Sequence, residues 1–364
     1  MKVAVVGAGI SGLSTAWSLC KRGHDVTLIE QAERIPNPFA ASGDQHRIIR
    51  RAYAGADGYA RTITEAFDAW EELWRDLGRR HYAHCGVLGI SQTADDEGED
   101  YRKGLDRVNS PYELWDAAEA ARRYPFLDPA TFRYAYLSAE GGALFPARIA
   151  ADLVAWLREH GVAIREGAAV EAIDPEAGTL TLAGETATFD RIVVTAGAWV
   201  LRLLPELGEV LTTYRTAVAY LDPPDDLKAA WQAAPVIVDV GGTVDGYVLP
   251  AVDGTDLKVG AGVHKRPMVP DVDRDPRPGE GEIIRDYFAP PFARIGEYAV
   301  KRVASCAYTF TADRKFLSRR IGKVVAVSAC SGHGYKFGSS VGRRVAAAVE
   351  SGDDAGLLRW LRAE

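Results

Sequence analysis

KVAVVGAGISG, residues 2–12, is a short β-branched apolar run that breaks into three glycines at the spacing G-x-G-x-x-G. A run of this length reads as a buried strand, and helical periodicity follows it through Leu19 to Lys21. The next apolar run, 26–30 (VTLIE), ends on Glu30, at the distance from the last glycine that a dinucleotide-binding βαβ unit requires. Each residue type has a physical reason. Gly7 permits the tight turn, Gly9 lets the backbone amides around Ile10 and Ser11 approach a pyrophosphate at the positive helix end, and Gly12 lets helix and strand pack closely. Glu30 can accept hydrogen bonds from the adenosine ribose hydroxyls, and its charge would repel the 2′-phosphate of NADP. The unit by itself leaves NAD and FAD equally open.

Composition bounds the rest. A chain of 364 residues exceeds one small core and predicts two domains. No run of about 18 apolar residues is present, so no membrane partner is expected. A net charge of −7 with dispersed basic residues excludes the footprint of a nucleic-acid binder. Cys20, Cys85, Cys306 and Cys330 have no C-x-x-C spacing, which argues against a metal site and against a disulfide framework. The first strand starts directly after Met1, so no targeting segment and a cytoplasmic location are expected.

Further along, HRIIRRAY at 46–53 reads as a helix, with Ile48, Ile49, Ala52 and Tyr53 on one side and Arg47, Arg50 and Arg51 forming a basic face on the other. The pattern alone favours a solvated face paired with nearby acids. An amphipathic helix is expected over 60–78 and another over 147–160. Strands are expected at 168–173, 178–182 and 186–189, and over 191–199, whose small residues would let a ligand approach the backbone. The stretch from 210 to 305 reads as β-rich, with strands near 213–221, 235–239, 246–250 and 256–263. A strand at 323–328, a glycine-rich turn at 331–338 and a helix at 339–350 return to the first pattern. The expected architecture is α/β (α+β overall). A Rossmann-like nucleotide-binding domain over 1–83, 142–212 and 306–364 is interleaved with a β-sheet-rich substrate domain over 84–141 and 213–305.

Four segments beyond the glycine motif carry a resemblance: HRIIRRAY at 46–53, the stretch from Tyr247 through Pro250 to Lys258, CAYTFTAD at 306–313, and SGHGYKFGSSVG at 331–342. Their order and spacing are similar to the FAD-dependent amine oxidases typified by monomeric sarcosine oxidase, with N-methyltryptophan oxidase and pipecolate oxidase as relatives. The likeness covers nearly the whole chain and implies FAD rather than NAD. It implies a covalent bond from Cys306 to the flavin, with Arg302 favouring the thiolate. It places Lys258, which as a bare residue reads as a solvent-facing strand lysine, where a fixed ammonium offsets charge developing on oxygen. Arg50 and Lys336 match the cations that hold a substrate carboxylate. Tyr247 matches a pocket tyrosine, and Arg47 an arginine on the oxygen-reacting side. Gly332, His333, Gly334 and Tyr335 would adjoin the flavin, with His333 a neighbour and not a base. The likeness further implies cofactor contacts at Arg34, Ser42, Ile48, Val170, Ala196, Gly197 and Trp199.

The activity implied is oxidation of a secondary amino acid, N-methyl or cyclic. Hydride would pass from the α-carbon or N-methyl carbon to flavin N5, giving an imine, and O2 would be reduced to H2O2. The partners implied are a small amino acid or amine substrate and O2, acting on a monomer. Alternatives are a flavin-dependent amine dehydrogenase, a biosynthetic tailoring oxidase of an unusual imino acid, or a catalytically inactive flavin-binding protein. Two departures stand out. Ser42-Gly43-Asp44-Gln45-His46 is shifted by one residue from the family pattern. Ala261 and Gly262 occupy positions where relatives carry an aromatic–histidine pair, with His264 two residues on, so a cavity wider than sarcosine needs is expected.

Overall fold

The computed structural model describes residues 1–272 and 274–364. Lys2–Val6 lies at the centre of a six-stranded sheet, parallel to Asp25–Ile29 on one side and Arg191–Val194 on the other. Val324–Ser328 continues the parallel order beyond Arg191–Val194, Ala163–Arg165 closes the opposite edge, and Leu317–Ile321 is added antiparallel. Central parallel strands are covered on both faces, which is why these segments are near-continuous Val, Ile, Leu and Ala runs. The helix Ile10–Lys21 packs one face of the sheet against Gly338–Ser351. Their contact is close because Gly342 has no side chain: a Cβ there would stand 2.3 Å from the Ser14 backbone.

A second sheet is mostly antiparallel. Its spine is Thr212–Asp222, paired with Ala299–Phe310 and with Leu257–Ala261, then through Gly246–Leu249 and Val236–Asp239 to Val87–Ser91 and Tyr134–Ser138. Its own aromatic core holds Trp231 stacked on Phe126 at 3.7 Å between ring centroids. A buried ion pair, Arg215 with Glu280 at 2.5 and 2.8 Å, pins the helix Glu280–Asp286 under the spine strand, and His264 joins it at 2.9 Å.

Two expectations are corrected. Residues 46–53 are not a helix: Arg47–Arg50 is a strand, antiparallel to Gly141–Leu144. The partner supplies the reason, since Gly141 and Gly142 have no side chains and let the backbones of Ile49 and Ala83 close in from either side. Alternation along this strand then turns Ile49 and Arg50 to opposite faces, both buried, instead of presenting a solvated basic face. The strand expected over 191–199 stops at Val194, and a 3₁₀ turn at Gly197–Trp199 follows, entered at positive φ by Gly197.

The tightest point of the nucleotide turn is Gly12, where an added Cβ would lie 1.8 Å from the Gly7 carbonyl oxygen and 2.7 Å from Thr195 Oγ1. Backbone cannot yield there as a side chain can. Gly12→Ala is therefore expected to lower the urea unfolding midpoint, by the equivalent of about 2 kcal/mol or more. An unchanged midpoint would mean that the turn relaxes freely.

Candidate active site

Both sheets open onto one cavity of about 890 Å³ at the carboxyl ends of the parallel strands. Gly7, Gly9, Ile10 and Ser11 line it from the first turn, Glu30 from the end of the second strand, and Ala196, Gly197 and Trp199 from the third. Gly9 caps the helix without a side-chain hydrogen bond, and the first turn carries no acid, so the positive helix end is free to meet an anion. Ser42 Oγ accepts from the Ile10 amide at 2.9 Å, and the buried Glu30 carboxylate accepts from the Ala8 and Ala32 amides at 2.8 and 2.9 Å. The glycine turn at the start of the helix and the acid at the end of the second strand are of the kind that suits a dinucleotide. A side chain at Gly7 would strike the Thr195 carbonyl, 2.7 Å away, and narrow the cradle.

Ser42, Ile48 and Val170 also line the cavity; Gly12 and Arg34 do not. Gly12 faces the turn behind it. In the loop after Glu30, Ile35 packs onto the first core, and the loop presents Asn37 to the cavity in place of Arg34.

On one wall, Asp44 gathers the cations. Lys258 Nζ lies 3.0 Å from Asp44 Oδ2 and also donates to the His46 carbonyl; Arg47 Nη1 donates to the same Oδ2 at 3.0 Å; and the Tyr220 hydroxyl donates to Oδ1. Lys258 is 1% exposed, which corrects its reading as a solvent-facing strand lysine. Burial alone would raise the Asp44 carboxyl, but Lys258 and Arg47 overcome it and hold the group well below the carboxylate range. Burial brings the Lys258 ammonium down to about 8 against the pull of Asp44. Arg47 Nε is buried without a partner, its Nη2 donates to the Ala41 carbonyl at 3.0 Å, and the same nitrogen stands 3.8 Å from Cys306 Sγ.

Arg47, and not Arg302, is therefore the cation beside Cys306. Four residues along an extended strand span roughly 13 Å, and the Arg302 guanidinium stacks on the Tyr220 ring at 3.5 Å. Burial raises the Cys306 thiol, and Arg47 acts against it.

The opposite wall carries Arg50 and Lys336, both buried. Arg50 donates to the Ala52 carbonyl and to the Tyr101 hydroxyl at 3.1 Å, between the rings of Tyr53 and Tyr101. Lys336 Nζ donates to the His333 carbonyl at 2.7 Å. Among the described residues neither cation forms an ion pair. Burial, and then repulsion from Arg50, push Lys336 well below the usual ammonium range. His333 bridges Tyr53, at 3.2 Å, and the Arg314 carbonyl, at 3.1 Å, and burial holds it neutral. Tyr247 lines the cavity with its ring over Gly260, and Gly332 and Gly334 to Lys336 lie on the wall.

Sequence reasoning missed Asp44, Tyr101 and Tyr308 as cavity residues. Asp44 stood inside the shifted segment 42–46, where the one available signal was its departure from the family pattern. Nothing in the spacing tied position 44 to position 258.

The family described as FAD dependent oxidoreductase matches the chain over residues 2–348. The chain is 28% identical over 354 residues to the peroxisomal sarcosine oxidase of Homo sapiens, covering 93% of this chain and 89% of that one. It is 26% identical over 365 residues to the monomeric sarcosine oxidase of Streptomyces avermitilis, covering 97% and 94%. The L-proline dehydrogenase of P. horikoshii has the same fold, with a TM-score of 0.82 at 18% identity over 100% of this chain and 96% of that one.

The Lys258 ammonium carries a pH signature. It loses its proton near 8 in the folded chain but only near about 10.4 when unfolded. Between those values the unfolded chain binds more protons, so this group makes stability rise with pH across the window. Urea titrations from pH 7.5 to 10.5 should lose that upward slope in Lys258→Met.

Proposed function

The chain belongs to the FAD dependent oxidoreductase family, and we propose that it oxidises a secondary amino acid, N-methyl or cyclic, to the imine, with O2 as electron acceptor and H2O2 as product. Bound FAD would supply the two-electron acceptor for the CH–NH donor. Gly7 to Ser11 and Glu30 would hold its dinucleotide part, and Cys306 would anchor it covalently.

The observation that carries the substrate reading is the pair Arg50 and Lys336. Two buried basic groups that, among the described residues, form no ion pair with a protein carboxylate are costly to keep charged unless a ligand brings the anion. A substrate carboxylate gripped by the arginine fork and the lysine fixes the neighbouring carbon and nitrogen in one orientation, which is worth several kcal/mol when the reacting atoms are held in line. Neutral His333 is hydrogen-bonded through both ring nitrogens, so it holds Tyr53 and the loop and keeps no lone pair for the substrate proton. On the other wall the Lys258 ammonium, fixed by Asp44 in a dry site, stabilises negative charge that develops on oxygen. Ala261 and Gly262 line the cavity without bulky side chains of their own, and the space beside Gly262 is taken by the Asp245 carboxylate. The likeness to sarcosine oxidases, one of them named monomeric, supports the amine chemistry and a monomeric enzyme.

A peroxide-coupled screen of sarcosine, pipecolate, proline and N-methyltryptophan tests the reading, with a bulkier amino acid expected ahead of sarcosine. Lys336→Met is expected to raise the substrate dissociation constant roughly hundredfold while flavin content stays unchanged. No effect on binding would remove the carboxylate assignment. Lys258→Met is expected to slow reoxidation of the anaerobically reduced protein by about 10²-fold or more; slow reoxidation in the unmodified protein would instead point to a dehydrogenase with another acceptor. Flavin that remains on the denatured chain, and is released from Cys306→Ser, is the expected sign of the covalent bond.

A further inference from the structure

Beside the cation pair lies a group of acids that the proposed reaction does not use. One carboxylate oxygen each of Glu97, Asp239 and Asp245 falls within 4.8 Å of the others. Glu97 and Asp245 line the cavity together with Arg50 and Tyr101. The fold brings the three together by tying two segments. Asp96 caps the helix Glu97–Arg107 through the Glu99 amide at 3.0 Å and also accepts from the Gly242 amide at 3.1 Å, so the first helical turn is locked onto the loop that joins Asp239 to Asp245. One turn further along the same helix, Tyr101 receives the hydrogen bond from Arg50. The acids thus stand one helical turn from the carboxylate clamp. Asp245 reaches its place because Gly262 has no side chain: a Cβ there would meet Asp245 Oδ2 at 2.0 Å.

An independent feature points into the same group. Tyr136, Gly89 and Asp239 are in register across three adjacent strands, so their side-chain positions share one face of the sheet. The Tyr136 ring lies over Gly89, its hydroxyl 2.1 Å from where a Cβ would be, and so extends towards Asp239. That hydroxyl is fully buried and has no hydrogen-bond partner, and Asp239 Oδ2, on a side chain 1% exposed, has none either; Oδ1 alone accepts, from the Gly241 amide at 2.7 Å. Among the described residues none of the three acids forms an ion pair. Lys265 and Arg314 line the same cavity; without forming an ion pair with the acids, Arg50 and Arg314 act against burial at Glu97, and these two with Lys265 do so at Asp245. Burial, and then mutual repulsion, hold the Glu97 carboxyl above its usual range, and burial raises the other two. Glu97 and Asp245 on the cavity wall, with Asp239 and an idle hydroxyl behind them, thus stand beside Arg50 and Lys336 without an ion pair between the two groups.

Resting on the proposed oxidation of a carboxylate-bearing amine, we infer that the substrate carries a second, positively charged group at the far end of a basic side chain, an ammonium or guanidinium, received by Glu97 and Asp245 with Asp239 and Tyr136 behind them. The carboxylate at Arg50 and Lys336 and the distal cation at the acids hold the molecule at two points, with the reacting carbon and nitrogen between them. A neutral side chain of the same length would leave the acids desolvated and unpaired, which sets selectivity by charge as well as by size.

The test is binding to the flavin-loaded protein of ω-amino acids of increasing length, from 4-aminobutanoate to 8-aminooctanoate, each beside the uncharged fatty acid of equal length. At the best length the ω-amino acid is expected to bind about tenfold tighter or more, the worth of one well-placed ion pair. In the double variant Glu97→Gln, Asp245→Asn that ratio should collapse to near one. Equal or tighter binding of the fatty acid at every length overturns the inference and leaves the carboxylate clamp standing, as does a ratio that survives the double variant. The length series in the unmodified protein decides the matter even if the variant does not fold. If neither ligand type binds, the clamp and the present inference fall together. Saturable binding of Mg²⁺, Ca²⁺ or Mn²⁺ that excludes the ω-amino acid would assign the acids to a metal ion and overturn the inference.

Discussion

Charge balance among buried side chains governs this molecule, and Asp44 is where it is struck. Its carboxylate pairs with both Lys258 and Arg47 and takes a third hydrogen bond from Tyr220. The residue sits in left-handed backbone at φ 82°, in the loop that leads into the strand Arg47–Arg50. Through it that strand is tied to the second sheet, which carries Lys258 and Tyr220. Removing one partner from such a buried cluster leaves an uncompensated charge, a loss of about 3–5 kcal/mol. The loop, the strand and the wall of the cavity therefore stand or fall together.

With Asp44 committed on one wall, Arg50 and Lys336 on the other form no ion pair among the described residues. This asymmetry gives the cavity its chemical direction. One wall fixes an ammonium of depressed pKa against Asp44, while on the other burial and Arg50 disfavour the proton on Lys336, which a ligand anion would favour again. The aromatic packing of Tyr53, Tyr59, Phe316 and Phe337 around His333 holds the second wall rigid, so orientation of a bound carboxylate needs little further ordering.

The same two-walled construction explains which parts were legible in advance. Regular elements whose pattern is local were read well: the glycine turn, the helix that proves to be Pro146–Glu159, and the strands Lys2–Val6, Asp25–Ile29 and Val324–Ser328 of the first sheet, whose antiparallel edge strand Leu317–Ile321 was not expected. The segment 46–53 was misread because Ile48 and Ile49 are adjacent, so helix and strand periods fit it equally well over so short a run. Pairing with Gly141–Leu144, about a hundred residues on, decides between them. Arg302 was expected beside Cys306 on proximity in sequence, whereas Arg47, which stands there, comes from another part of the chain.

By itself the sequence determined the α/β class, the nucleotide turn and the residue types available to the site, because strand and helix periods and glycine spacing are written over a few consecutive residues. Only the tertiary structure decided which charges are paired. Asp44 with Lys258, the solitude of Arg50 and Lys336, and the meeting of Glu97 with Asp239 and Asp245 all depend on contacts between segments far apart in the chain. Their electrostatic consequences depend on burial, and burial belongs to the folded molecule rather than to any local pattern.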